Sequence, residues 1–175
     1  MNMKNIVRAV SINLNQAIRF CVFISSLAFA GLIFVSVIFR YIIKHPLIFS
    51  VEIAKLLFIW SAFLGVTIGY REKSHIRFEF LKTLLKQRGM IITEVIVRTC
   101  SLFFFVIVLF QAIKFTQIVW PTFFPVLNLS QGWLYVSVIV SMIVLIIHSL
   151  DLSIEAVETY KSFTKKSVFE LENSK

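Results

Sequence analysis

Charge is scarce in this chain. Only 15% of its 175 residues are charged and nine are acidic, whereas soluble globular domains carry roughly 25% charged residues. With 58% apolar residues and a mean hydropathy of +0.87, a soluble domain is excluded. Glycine and proline are also rare, five and three beside 19 phenylalanines. That is the reverse of the polar, proline-rich composition that keeps chains unfolded. The two cysteines, Cys21 and Cys100, sit in separate apolar stretches, so they read as small hydrophobic side chains rather than a disulfide or metal pair. Three histidines, His45, His75 and His148, fall in different segments, and there is no paired-carboxylate motif, glycine-rich phosphate loop or nucleophile elbow. The chain is therefore expected to be no enzyme and to hold no cofactor or metal. A bis-histidine haem would need two histidines facing each other within one bundle, which these positions do not offer.

What the sequence has in abundance is long apolar runs. A bilayer core of about 30 Å takes about 20 helical residues. Phe20 to Phe39 is free of charge and flanked by Arg19 and Arg40, while Leu47 to Tyr70 carries only Glu52 and Lys55, near its start. Met90 to Ile113 carries Glu94 and Arg98, again near its start. Phe115 to Leu150 is charge-free but too long for one crossing, and Pro121 and Pro125 divide it into a loop and a helix. The expected fold class is an all-α membrane protein with four transmembrane helices at about 20–41, 47–70, 90–114 and 129–150. Residues 1–175 form one such domain, with a cytoplasmic tail at 151–175. The first run has a longer apolar core than a signal peptide, and Arg40-Tyr41 follows it instead of a small-residue cleavage site, so it is expected to be retained.

The net charge of +9 does not point to nucleic acid, because the basic residues lie between apolar runs. Fourteen of the 18 lysines and arginines fall in the two tails and the second connection. With four spans those segments share one side, and the positive-inside rule places both termini in the cytoplasm. Two basic, amphipathic stretches, residues 3–18 and 74–88, are expected as helices lying on that membrane surface against anionic lipid. Met3, Val7, Val10 and Leu14 form the apolar stripe of the first; Ile76, Phe80, Leu81, Leu84 and Leu85 form that of the second.

Charged residues in or beside the spans lie near their ends. Glu94 and Arg98 are spaced for an ion pair on one helix face, as are Glu52 and Lys55, with Arg40 a second possible partner for Glu52. A sharper reading makes Glu52 a proton carrier, although a driven site belongs near the midplane. Ser61, Gly65 and Gly69 form a small-residue stripe that lets another helix approach closely. Phe103, Phe104 and Phe105 point in different directions around one helix, so part of that surface must face lipid or another protein. Trp120, Phe123, Phe124, Trp133 and Tyr135 suit an interfacial aromatic belt. Gln111, Lys114 and Gln117 put polar groups on the outer end of the third span, either snorkelling or meeting a partner.

The run Arg40-Tyr41, Glu52, Trp60 with Phe63-Leu64-Gly65, Tyr70-Arg71 and His75-Ile76 resembles the small membrane subunit of tripartite ATP-independent periplasmic (TRAP) transporters. The resemblance covers about residues 20 to 150, and Trp133 with Tyr135 matches the aromatic pair that opens the fourth span. Phe49, Glu79 and Ser130 depart from the usual Trp, Asp and Pro. The resemblance implies a bacterial inner-membrane scaffold for a large, elevator-type, multi-span subunit in Na⁺-driven uptake of an organic acid, such as sialic acid or a C4-dicarboxylate. A periplasmic binding protein would deliver the solute, and membrane lipids would be the other partner. Arg40, Glu52, Trp60, Ser61, Gly65, Gly69, Arg71, His75 and Trp133 are then candidates for structural or subunit-interface roles, with no catalytic, substrate-binding or metal residue. Two alternatives are a stand-alone proton-coupled exporter, dimeric through the Gly65/Gly69 face, and a membrane enzyme or electron carrier.

Overall fold

The computed structural model describes residues 3–84 and 87–172, with side chains described for residues 8, 10–72, 93 and 96–153. Among the described residues the secondary structure is four helices, α1 (Met3–Tyr41), α2 (Ser50–Leu84), α3 (Gln87–Val119) and α4 (Gly132–Glu172), and one isolated β-bridge. Each helix contains a stretch long and apolar enough to cross a bilayer: Val10–Tyr41, Ser50–Glu72, Ile96–Val119 and Gly132–Ser153. At about 1.5 Å per residue the 39 residues of α1 and 41 of α4 reach about 60 Å, twice the hydrocarbon thickness. Both therefore run well beyond their apolar stretches. Pro46, Pro121 and Pro125 all fall in the connections, so no helix is broken by proline.

The spacing of covered positions shows how the helices pair. Along α1 the covered positions among the described residues are Ser11, Leu14, Asn15, Ile18, Val22, Ser25, Phe29, Leu32, Ser36, Ile38 and Phe39, mostly in steps of three and four. That is the seam of left-handed, coiled-coil-like packing. The same rhythm recurs on α3 at Arg98, Leu102, Phe105, Leu109, Ala112, Thr116 and Val119. Among the described residues of α2, a stripe through Val51, Lys55, Phe58, Ala62 and Val66 is exposed, as is Glu72; the others are covered. The helices accordingly stand in the order α1, α2, α4, α3, with α1 against α2, α2 against α4, and α4 against α3. Helices α2 and α3 are consecutive in sequence yet barely touch, and α1 does not reach α3 among the described residues. Helix α1 also meets α4, through Ser11 and Ile18, so among the described residues the result is a row open between α1 and α3 rather than a closed four-helix bundle.

Two apolar clusters fill the joints. Ile18, Leu64 and Val144 join α1, α2 and α4, with Leu14, Val22, Trp60, Ile68 and Val140 around them. Phe105, Met142 and Leu145 join α3 to α4, with Tyr70 of α2 edge-on to Phe105 at 5.3 Å. Because α1 and α3 each bury one seam only, their outer faces stay uncovered: Phe23 and Phe103 are 67% and 68% exposed. The Phe103, Phe104, Phe105 run divides as its spacing requires, with Phe105 in the core and the other two outside.

Residues 3–18 differ from the expected separate surface helix. They are the first part of α1, continuous with its span, and Ser11 and Ile18 are buried against α2 and α4. No glycine or proline interrupts the chain before Gly31, and the apolar stripe runs straight into the span's own seam, so nothing stops the helix there. For 74–88 the backbone is helical to Leu84 and again from Gln87, while the side chains lie outside the described residues. Residues 151–172, expected as a tail, continue α4 as helix.

Candidate functional site

Among the described residues, the polar side chains that bond from one helix to another or to a loop gather at the two ends of the row. At the end formed by the α1–α2 and α3–α4 connections, Glu52 in the first turn of α2 is only 7% exposed. Its two carboxylate oxygens accept the backbone N–H groups of Leu127 at 2.8 Å and Val126 at 3.1 Å. The expected pairing of Glu52 with Lys55 or Arg40 is thus replaced by a clamp on the α3–α4 loop. A carboxylate can accept two N–H bonds at once, and it lies at the positive end of α2 as well.

The clamped loop folds tightly on itself. Phe123 and Ser130 form the bridge; the N–H of Phe124 donates to the Leu129 carbonyl at 2.9 Å and that of Gln131 to Thr122 at 2.8 Å. Asn128 turns the chain with φ of 52°, a conformation that asparagine tolerates better than most residues. Ser130 donates to the Trp120 carbonyl at 2.7 Å and accepts the Gly132 N–H at 3.0 Å, capping the start of α4. Gly132 is needed here for space, since a β-carbon would lie 2.5 Å from Cε3 of Trp120.

Aromatic side chains brace the same end. Nε1 of Trp60 donates to the Trp133 carbonyl at 3.2 Å, and the Trp133 ring lies 6.4 Å from that of Trp120. Phe115 stacks on Tyr135 at 5.7 Å. Across the other joint, Ser36 and Ser50 share a hydrogen bond of 2.9 Å, tying α1 to α2. Arg40 is exposed, its guanidinium 6.0 Å from the Tyr41 ring.

At the opposite end Arg71 donates to the Ser11 carbonyl and faces Asp151 at 3.6 Å. The Ser11 hydroxyl is 2.9 Å from Nδ1 of His148, both residues being fully buried. Four residues from three helices therefore form one polar lock. Nearby, Arg19 and Glu72 make an exposed ion pair at 2.6 Å, of a kind worth at most about 1 kcal/mol.

Of the candidate residues, the structure brings Glu52, Trp60 and Trp133 to the loop end and places Arg71 in the lock. Ser61, Gly65 and Gly69 are half-covered, and a β-carbon on Gly65 or Gly69 would meet no neighbouring group within 4 Å among the described residues. The close helix approach expected there is therefore not made among the described residues. The side chains of His75 and Glu94 lie outside the described residues. Sequence reasoning passed over Ser11, His148, Asp151 and Gly132. His148 carried a signal, being the one Asp, Glu, Lys, Arg or His in the long run from Phe115 to Leu150.

These features define a multi-pass, all-helical membrane protein whose polar groups organise its two ends rather than a cleft between helices. The sequence profile described as "Tripartite ATP-independent periplasmic transporters, DctQ component" matches residues 29–159, and the chain belongs to that family. It is similar to two proteins named "Putative TRAP transporter small permease protein" from Haemophilus influenzae. One is 28% identical over 140 residues, covering 77% of this chain and 84% of the relative. The other is 18% identical over 130 residues, covering 74% and 79%. A third match, to the "Sialic acid TRAP transporter permease protein SiaT" of the same species, is 32% identical over 62 residues. It takes in 35% of this chain and spans about 10% of that relative's length.

Proposed function

We propose that this chain is a scaffold of a Na⁺-driven TRAP importer: it packs beside a large multi-span subunit that carries the solute, and a periplasmic protein delivers that solute. The reading puts both termini in the cytoplasm of a bacterial cell and the Glu52-clamped loop on the periplasmic side of the inner membrane. It is supported by the charge bias of the connections. The cargo is an organic acid of the sialic acid or C4-dicarboxylate kind, for which the name of the SiaT relative is the support.

The observation that carries the scaffold role is where ionisable groups are missing from the sequence. Residues 20–39, 56–70, 99–113 and 132–147, the central parts of the four spans, contain no Asp, Glu, Lys, Arg or His. A secondary transporter binds its ions and substrate near the midplane, commonly in broken helices; here the spans are continuous. Glu52, the carboxylate that the sequence offers as a proton carrier, has both oxygens engaged by backbone N–H groups.

The free edge of α3 suits the partner better than that of α1. Gln111, Lys114 and Gln117 are all exposed, on the side of α3 opposite the Phe105, Ala112 and Thr116 seam. Gln111 lies eight residues before the end of α3 at Val119, about 12 Å along the axis, beyond easy reach of head groups. Polar groups at that depth favour a helix offering hydrogen bonds over lipid. The exposed face of α1 at Phe20, Phe23, Leu27 and Phe34 is apolar and suits acyl chains. The open Ser61, Gly65, Gly69 stripe is a further place where a partner helix can approach.

Co-expression of the tagged chain with the large membrane subunit tests this reading. The two should purify together, and solute uptake into proteoliposomes should require both subunits and the binding protein. Uptake by this chain alone would overturn it.

A further inference from the structure

We infer that the lock at the Ser11 end contains a hydration site, a bound water held between His148 of α4 and Asn15 of α1. His148 is fully buried, and among the described residues only its Nδ1 has a partner, the Ser11 hydroxyl; Nε2 is buried with none. Asn15 Oδ1 is buried and unpartnered as well. The packing register brings the two together. Ser11 meets His148, and one cluster holds Ile18 with Val144, so Asn15, one turn beyond Ser11 on the same face, lies level with the turn of α4 between Val144 and His148.

Buried polar atoms in folded proteins are almost always satisfied, by protein or by ordered water. Ser141 and Ser149 also have unpartnered hydroxyls. A helical serine, however, can turn its hydroxyl to a carbonyl one turn back, as Ser137 does to Leu134 and Ser153 to Ser149. His148 and Asn15 have no such local recourse. Water suits them in either imidazole tautomer. With the proton on Nε2, water accepts from His148 and donates to Asn15; with it on Nδ1, water donates to both. The site also accounts for polar residues at a helix joint where apolar ones would pack: they fix the register of α1 against α4.

The test uses the full chain in lipid, with its large subunit where that co-purifies. Ring-¹⁵N histidine labelling of this chain alone, in a His45→Gln, His75→Gln background with any large subunit left unlabelled, makes His148 the only labelled imidazole, and solid-state NMR then reads magnetisation transfer from water protons to Nε2. The expected result is transfer to Nε2 that falls to background in Asn15→Leu, while the Nδ1 resonance that reports the Ser11 bond keeps its shift. High-resolution cryo-EM of the unaltered chain should show a density peak within hydrogen-bonding distance of both Nε2 and Oδ1. The inference is overturned if Nε2 receives no transfer from water in the unsubstituted background, or if the map shows Nε2 bonded directly to Asn15.

Discussion

Replacement of Glu52 separates a structural clamp from a proton carrier. Its carboxylate accepts two backbone N–H groups, of Val126 and Leu127, from a nearly buried position. Hydrogen bonds to a charged group are worth about 1.5–3 kcal/mol each, and the low end applies because Val126 itself is exposed. Glu52→Ala removes both and should cost the loop about 3 kcal/mol. Glu52→Gln keeps one acceptor but turns an NH₂ group toward the second N–H, at about half that cost. At 1.4 kcal/mol per factor of ten, the amides of residues 120–131 should exchange with deuterium about tenfold faster in the glutamine variant and about a hundredfold faster in the alanine variant. Amides in the middle of α1 should be unchanged in both. Hydrogen-exchange mass spectrometry of the reconstituted protein reads this directly. If loop exchange is unaltered in Glu52→Ala, or if Lys55→Gln accelerates it as strongly, the clamp is refuted.

Three further outcomes follow from the same geometry. Arg71→Ala leaves Asp151 half-buried and unpaired and frees the Ser11 carbonyl, so it should destabilise the chain by about 2–4 kcal/mol; Arg71→Met with Asp151→Leu should cost less, as a thermal unfolding series would show. Gly132→Ala forces Trp120 aside and should cost about 1–3 kcal/mol, visible as a changed tryptophan fluorescence and a lower Tm. Gly65→Ala meets no group among the described residues and should leave stability unchanged or raise it by up to about 1 kcal/mol. Gly65→Leu should leave that stability intact yet weaken capture of the large subunit, with quantitative pull-down as the readout.

Much of the fold is legible in the sequence because the bilayer leaves few options. Apolar runs of span length and prolines confined to connections dictate four helices, and the Phe103–Phe105 run announces an uncovered face. Lateral order is not legible. That α3 packs on α4 instead of α2 depends on which seams match, and Ala112 and Thr116 look no more like a seam in sequence than the exposed Gln111 and Gln117. The position of Glu52 stood out as a charge near a span end, but its partners are backbone N–H groups in a loop over 70 residues away, which no residue pattern encodes. The lock was missed for a related reason: Ser11 and Asp151 are ordinary residues, and they acquire meaning only once three helices bring them to Arg71 and His148. Ser61, Gly65 and Gly69 show the converse. Their spacing permits close approach without requiring that the approaching helix belong to the same chain.

The most direct measurement is solute uptake by proteoliposomes assembled from purified parts, with this chain, the large membrane subunit and the binding protein each left out in turn. The account predicts Na⁺-dependent uptake with all three and none with this chain alone or without the large subunit. Uptake sustained by this chain in the absence of the large subunit would contradict it.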